Sequence, residues 1–250
     1  MPNTKNINLF ISRESFFNNG KIILHSFSDI EKEFRTAFSK TCSVSTVTRR
    51  SKGKDAYLGI EADSLNRALR DCIKDIPEIN KETHVENGIF FHSTKEGFDF
   101  SIYDRQYNIH RLYNYYLGTI GILHGDEKII NLYKKMNYKK KEWRNTISEL
   151  QGSNPSNTDL ITEKTQLTIA GEFQFGNWAL VYRDLFRLLK ADINPGVDFY
   201  IYVTATGRLS QSISDQTVSY DSALKVIDDN LSLLKTPMWI IGLDYTDIEA

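Results

Sequence analysis

The sequence predicts an α/β protein: a mixed central sheet flanked by helices, preceded by an α+β N-terminal half. Three observations predict it. From residue 139 onward, the hydrophobic pattern reads helix, strand, strand, helix, strand, helix, strand. Val197 to Thr204 is an almost unbroken β-prone run. Gly171-Glu172-Phe173-Gln174-Phe175-Gly176-Asn177 alternates aromatic and polar residues, as a strand with two unlike faces does. The expected organisation is an N-terminal α+β region over 1–138 and a core over 139–250, or the two as one continuous domain.

Taken in order, 6–12 and 21–27 read as two strands joined by the turn Asn18-Asn19-Gly20. Ser28-Asp29-Ile30-Glu31 has the spacing of a capping box, so a helix is expected from Ser28 to about Lys40. Residues 41–56 are polar and basic and read as a loop. A helix follows over 62–75, ended by Pro77. Residues 88–92 and 97–103 form an expected strand pair. Helices are expected over 104–120, 126–136 and 139–150. Gly152 to Asn157 breaks the chain, Asp159-Leu160-Ile161 begins a short strand, and 167–175 returns as its second arm. The next helix, 178–190, carries its apolar face on Trp178, Val181, Tyr182, Leu185, Leu188 and Leu189. A strand over 197–204, a polar loop over 207–217, a helix over 220–234 and a strand over 238–243 complete the chain.

Composition bounds the function. Charged residues are 25% and hydrophobic ones 40% of 250, an ordinary globular balance. No run approaches the roughly 20 apolar residues of a membrane span, and the first residues have no apolar leader, so a cytoplasmic protein with no membrane partner is expected. Cys42 and Cys72 read as reduced thiols. A net charge of −1 argues against a passive nucleic-acid coat. Two basic clusters, 49–54 and 134–144, are either solvated faces or phosphate-binding surfaces.

Chemistry concentrates around Glu172. On the 171–177 strand, Glu172 and Gln174 share one face. If that strand is central, the carboxylate is buried, at a cost of several kcal/mol unless a partner neutralises it. A divalent cation is one such partner and a structural Arg or Lys is the other. Asp159, on the first arm of the expected hairpin, is the favoured second carboxylate, and Glu163 is the alternative to it. Paired carboxylates select a hard cation such as Mg²⁺, and the Phe173 carbonyl offers a third oxygen. Gln174 is placed either to orient an attacking water or to satisfy backbone groups. Asn177 suits both a helix cap and an adenine edge. Glu149 is a candidate accessory ligand.

This arrangement resembles the PD-(D/E)XK nuclease core, with the lysine replaced by Gln174. The Glu172-Phe173-Gln174 variant, together with Phe175-Gly176-Asn177, the run 199–204, the Ser-rich loop after it and Trp239-Ile240-Ile241-Gly242-Leu243, is similar to restriction endonucleases of the BglII type. The likeness covers about 157–245. It implies that Glu172 and Gln174 are catalytic together with a first carboxylate, for which the hairpin shape favours Asp159 and the BglII-type spacing fits Glu163, and that Asn177, Arg208, Ser210, Gln211, Ser212, Asp215 and Gln216 reach DNA. It further implies a type II endonuclease that cuts a short site in double-stranded DNA with Mg²⁺-activated water, a homodimer, and a cognate DNA methyltransferase. A structure-specific repair nuclease and a non-catalytic DNA-binding protein are the alternatives.

Overall fold

The computed structural model describes residues 3–50, 56–86, 88–93, 97–117, 141–154, 156, 158–192, 196–213 and 217–248. Among the described residues, nine strands form one mixed sheet: β1 (Asn3–Phe17), β2 (Thr41–Arg49), β3 (Tyr57–Ile60), β4 (Ile79–Glu86), β5 (Ile89–His92), β6 (Phe98–Ile102), β7 (Ile169–Phe173), β8 (Phe199–Ala205) and β9 (Met238–Asp247). Their spatial order is β3-β2-β1-β9-β8-β7-β6-β4-β5. Strands β7, β8 and β9 are parallel, and β1 and β6 flank them antiparallel. The three strands of the C-terminal half therefore form the centre of the sheet, with three strands of the N-terminal half on either side.

The described helices are α1 (Gly20–Ser26), α2 (Ser28–Ala37), α3 (Ala62–Cys72), α4 (Arg105–Leu117), α5 (Lys141–Ser153), α6 (Leu180–Asp192), α7 (Gly207–Ser212) and α8 (Tyr220–Asp229). The alternation of the central strands sorts their side chains into two layers. Ile201, Val203, Trp239 and Ile241 pack with Leu24, Phe34 and Leu69 of α1, α2 and α3. Tyr200, Tyr202, Met238 and Ile240 pack on the other face with Val181, Leu185 and Leu188 of α6 and Ile227 of α8. Both faces of the parallel strands are thus covered, as their near-continuous apolar sequence requires.

Several local expectations give way to long-range pairing. Residues 20–26 form α1 instead of a strand. Asn18 and Asn19 are left-handed, and the Asn18 amide donates to the carbonyls of Leu234 and Thr236. Gly20 lies so close to β9 that a Cβ would sit 2.3 Å from the Met238 carbonyl oxygen. The turn is therefore shaped to dock on β9, and β1 pairs with that distant strand. Ser28 opens α2 without a side-chain capping bond. Residues 41–49 are strand β2, burying Cys42 and Val44 while Ser and Thr face outward. The expected pair of 88–92 with 97–103 does not form, because β4 inserts between them. Residues 159–161 are not a strand, and the antiparallel neighbour of β7 is β6. Residues 207–212 are a short helix. The helix expected over 126–136 lies outside the described residues. Both cysteines are buried free thiols, and burial pushes Cys42 up to about 12.

Candidate active site at the carboxyl end of the parallel strands

In an open sheet, ligands bind where parallel strands end and their loops diverge. Here the ends of β7 and β8 are tied together. The Thr204 hydroxyl donates to the Gln174 carbonyl, and the Gln174 N–H donates to Val203 O. Glu172 lies opposite Tyr202 in this register, on the face toward α6, while Phe173 and Phe175 enter the opposite layer. Glu172 is 3% exposed and Gln174 is 4% exposed. A carboxylate this deep needs compensation, and Arg187 of α6 supplies it as an ion pair.

Gln174 uses both ends of its amide. Its Nε2 donates to Asp184 at 2.6 Å, and its Oε1 accepts the Gly176 N–H at 2.9 Å. A Cβ on Gly176 would stand 3.0 Å from that oxygen, so the missing side chain is what lets the loop close on Gln174. Asp184 is fully buried and also accepts from Arg183 at 2.9 and 3.1 Å. Burial pushes its carboxyl above the ordinary range, against the opposing pull of Gln174 and Arg183.

The second carboxylate at this place is Asp99. Phe100 pairs with Gly171, so the same antiparallel register brings Asp99 beside Glu172. Asp99 accepts the Phe173 N–H at 2.8 Å and Arg70 of α3 at 2.6 Å. Arg70 also lies 3.5 Å from Glu82. Together these groups line a cleft of about 330 Å³, in which the carboxylates of Asp63, Glu82, Asp99 and Glu172 face Arg70, Arg183 and Arg187. Asn66 of α3 lines the same cleft, and its Oδ1 is buried without a hydrogen-bond partner.

Among the described residues, no cluster of three or more His, Cys, Asp or Glu side chains could hold a metal. The donor set at the cleft is two adjacent carboxylates and the orphaned Asn66 oxygen. Such a set suits a hard cation that keeps several of its waters, as Mg²⁺ does.

The structure does not bring Asp159 or Glu163 to this site. Both precede β7 on an irregular segment, with Glu163 exposed. That segment is anchored at the opposite end of the strand, where Asp104 accepts from Thr165, and Asp198 accepts from Thr168 and pairs with Lys164. The hairpin that was to unite Asp159 with Glu172 is replaced by pairing of β7 with β6. Glu149 is exposed on α5 and does not line the cleft. On α6, Asp184 shares the buried face with Val181, Leu185 and Leu188, whereas Tyr182 is exposed, as is Trp178, which precedes the helix instead of opening it.

The remaining candidates lie on the loops that leave β7 and β8. Asn177 is exposed, and its Oδ1 accepts the Ala179 N–H at 2.9 Å, the capping geometry. It also bridges Thr217 from the segment after α7. Helix α7 carries Arg208, Ser210, Gln211 and Ser212. The N–H groups of Arg208 and Leu209 donate to Asp244. The Arg208 guanidinium pairs with Asp247 at 2.6 Å and covers the Tyr245 ring. Gln211 is exposed, Ser210 is half-buried, and Ser212 hydrogen-bonds Tyr245. Asp215 and Gln216 lie outside the described residues.

Asp99, Asn66, Arg70, Asp184 and Arg187 escaped the sequence reading. For Asp99 a signal was present, since Phe98-Asp99-Phe100 repeats the carboxylate-between-aromatics pattern of Glu172. Asp184 likewise falls three residues after Val181 and four before Leu188, on the apolar face. Asn66 and Arg70 carry no such mark.

No curated protein matches the chain. A crystal structure of restriction endonuclease BglII complexed with a DNA 16-mer is similar, with 12% sequence identity and a TM-score of 0.48, over 95% of this chain and 79% of that one. The sequence model of the family described as restriction endonuclease BglII/BglIII matches residues 13–243, so the likeness extends well into the N-terminal half. The chain belongs to the BglII/BglIII restriction endonuclease family.

Proposed function

We propose that the protein is a type II restriction endonuclease that hydrolyses phosphodiester bonds at a short specific sequence in double-stranded DNA with Mg²⁺. The observation that carries this reading is the meeting of Asp99 and Glu172 on neighbouring strands, at the cleft end of the sheet, beside the exposed loop and helix of Asn177 and α7. Asp99 and Glu172, with the Phe173 carbonyl and Asn66, would hold the metal. A bound divalent cation supplies positive charge and a more acidic water.

The chain's own residues do the rest. Asp99 stays fixed by the Phe173 N–H, so its carboxylate is oriented before any ligand arrives. Gln174, held between Asp184 and Gly176, acts as a positioning residue that sets the path of the chain into Asn177. Asn177 and α7 are then the elements placed to reach base edges, where an amide pairs bidentately with adenine. Arg49, the first residue of the expected basic cluster, adjoins this end, since Gly59 of β3 packs against Arg49 and the Ser212 backbone; residues 51–54 of that cluster lie outside the described residues. That places cationic charge beside α7, as phosphate binding requires.

A homodimer fits the exposed aromatic residues Trp178, just before α6, and Tyr182 and Phe186 on it, at four-residue steps. A two-fold protein matches a palindromic site, and a cognate methyltransferase would protect the host. One feature favours a second reading, a DNA-binding protein without catalysis: Glu172 is already neutralised by Arg187. The deciding experiment incubates unmethylated plasmid and phage DNA with the protein in Mg²⁺, beside EDTA and beside Glu172→Ala. Discrete fragments that need both metal and Glu172 support the endonuclease. A metal-dependent smear moves the reading to a structure-specific nuclease, and binding without cleavage moves it to the second reading.

A further inference from the structure

Resting on the endonuclease reading above, we propose that Arg187 is a charge-exchange residue: it neutralises Glu172 while no metal is bound, and contacts the DNA phosphate once the metal takes that carboxylate. Three observations carry this. Glu172 is buried and its Oε1 is paired with Arg187, so a cation that takes that oxygen displaces the guanidinium. The displaced group has a standby partner, because Asp184 lies 3.6 Å from Arg187 one helical turn away. Finally, Gln174 is neutral and both ends of its amide are engaged, so the buried face of β7 offers the phosphate no cation of its own.

The alternatives within the cleft are weaker. Arg70 is engaged by Asp99 and Glu82. Arg183 is bonded twice to Asp184 and is half-exposed, so metal binding at Glu172 would not release it. Among the described residues, Arg187 is the cation paired with Glu172, the more deeply buried of the two carboxylates that would hold the metal, while Arg70 meets the more exposed Asp99 and keeps Glu82 besides. The Arg187 guanidinium also lies 5.7 Å from the Phe98 ring centroid, a contact that can hold it in the cleft when Glu172 lets go.

The exchange makes two effects run in opposite directions. In Arg187→Gln, Glu172 loses its competing cation, so metal should bind more tightly. DNA cleavage should nevertheless slow, because the phosphate loses its cation. The test is calorimetric titration of Mn²⁺ into DNA-free wild type, Arg187→Gln, Arg187→Lys and Glu172→Gln, followed by single-turnover cleavage with each. The expected result is Mn²⁺ affinity raised about tenfold or more in Arg187→Gln, the scale on which a neighbouring opposite charge shifts proton binding by a carboxylate. Cleavage should fall about 100-fold. Arg187→Lys, which keeps the charge, should lie between wild type and Arg187→Gln in both. A purely structural ion pair predicts metal binding that is unchanged or weaker in Arg187→Gln, and that result overturns the proposal. Should Arg187→Gln fail to fold, unchanged metal affinity and cleavage in Arg187→Lys overturn it instead. If wild type neither cleaves nor binds Mn²⁺ through Glu172, the endonuclease reading fails with it. If wild type does both and only the Arg187 effect is missing, this inference alone fails.

Discussion

Replacing Asp99 by Asn separates the two possible partners of Glu172. The amide keeps the size of the carboxylate and still offers an oxygen to the Phe173 N–H. It removes the charge that Arg70 meets at 2.6 Å. A hydrogen bond to a charged group contributes about 1.5–3 kcal/mol. Arg70 retains Glu82 at 3.5 Å and is about one-third exposed, so screening and re-pairing recover part of this. The expected loss of stability is about 1–2 kcal/mol. The expected loss of cleavage is much larger, at least about 100-fold, because a charge aimed at the reacting centre is gone. Asp159→Asn and Glu163→Gln, at the other end of the strand, should leave cleavage near wild type. Urea melts followed by circular dichroism give the first quantity, and single-turnover cleavage of supercoiled plasmid gives the second. An Asp99→Asn protein that cuts at the wild-type rate, beside an inactive Asp159→Asn, would refute the assignment.

Three further outcomes follow from the same geometry. Asn177→Ala removes both a cap and a candidate base contact; it should cost about 0.5–2 kcal/mol of stability and about 1–3 kcal/mol of sequence discrimination. Cleavage of near-cognate sites, measured against the cognate one, reads the second term, and unchanged discrimination leaves only the cap. Asp184 has its carboxyl raised by burial, so its contribution to stability is fully present below the unfolded value of about 3.9 and is lost as pH rises through the folded value. The unfolding free energy of wild type minus that of Asp184→Asn should therefore fall as pH rises above about 4, and a flat difference would contradict the burial argument. Asp104 is the opposite case: burial raises its carboxyl, but the Thr165 hydroxyl and the N–H groups of Tyr107, Thr165 and Gln106 outweigh it and hold it low. Its stabilisation is present above the unfolded value and lost as pH falls through the folded one. Asp104→Ala should cost about 1–3 kcal/mol at neutral pH and weaken the acid-side loss of stability, as urea melts at several pH values would report.

The sequence by itself determined what depends on near neighbours. Period-two alternation placed Glu172 and Gln174 together on one face of a buried strand, with Phe173 and Phe175 on the other. The β-prone run at 197–204 and the apolar closing strand were legible because a strand covered on both faces must be apolar throughout. The alternation also showed that Glu172 needs a neutralising partner.

Which partner it finds was left to the tertiary structure, because that is a question of chain topology. Asp99 stands 73 residues before Glu172, and only the pairing of β6 with β7 brings them together. Local spacing pointed to Asp159 instead, since a hairpin is the shortest way to align two strands. The approach to β7 is irregular and forms no first arm, so Asp159 and Glu163 precede the strand at its opposite end. The same holds for Asn18 to Ser26. Read locally it is a hairpin turn and a strand, but contact with β9 bends it into a helix. Arg187 and Asp184 meet Glu172 and Gln174 because α6 packs across β7, a consequence of burying Val181, Leu185 and Leu188 that no short-range pattern records.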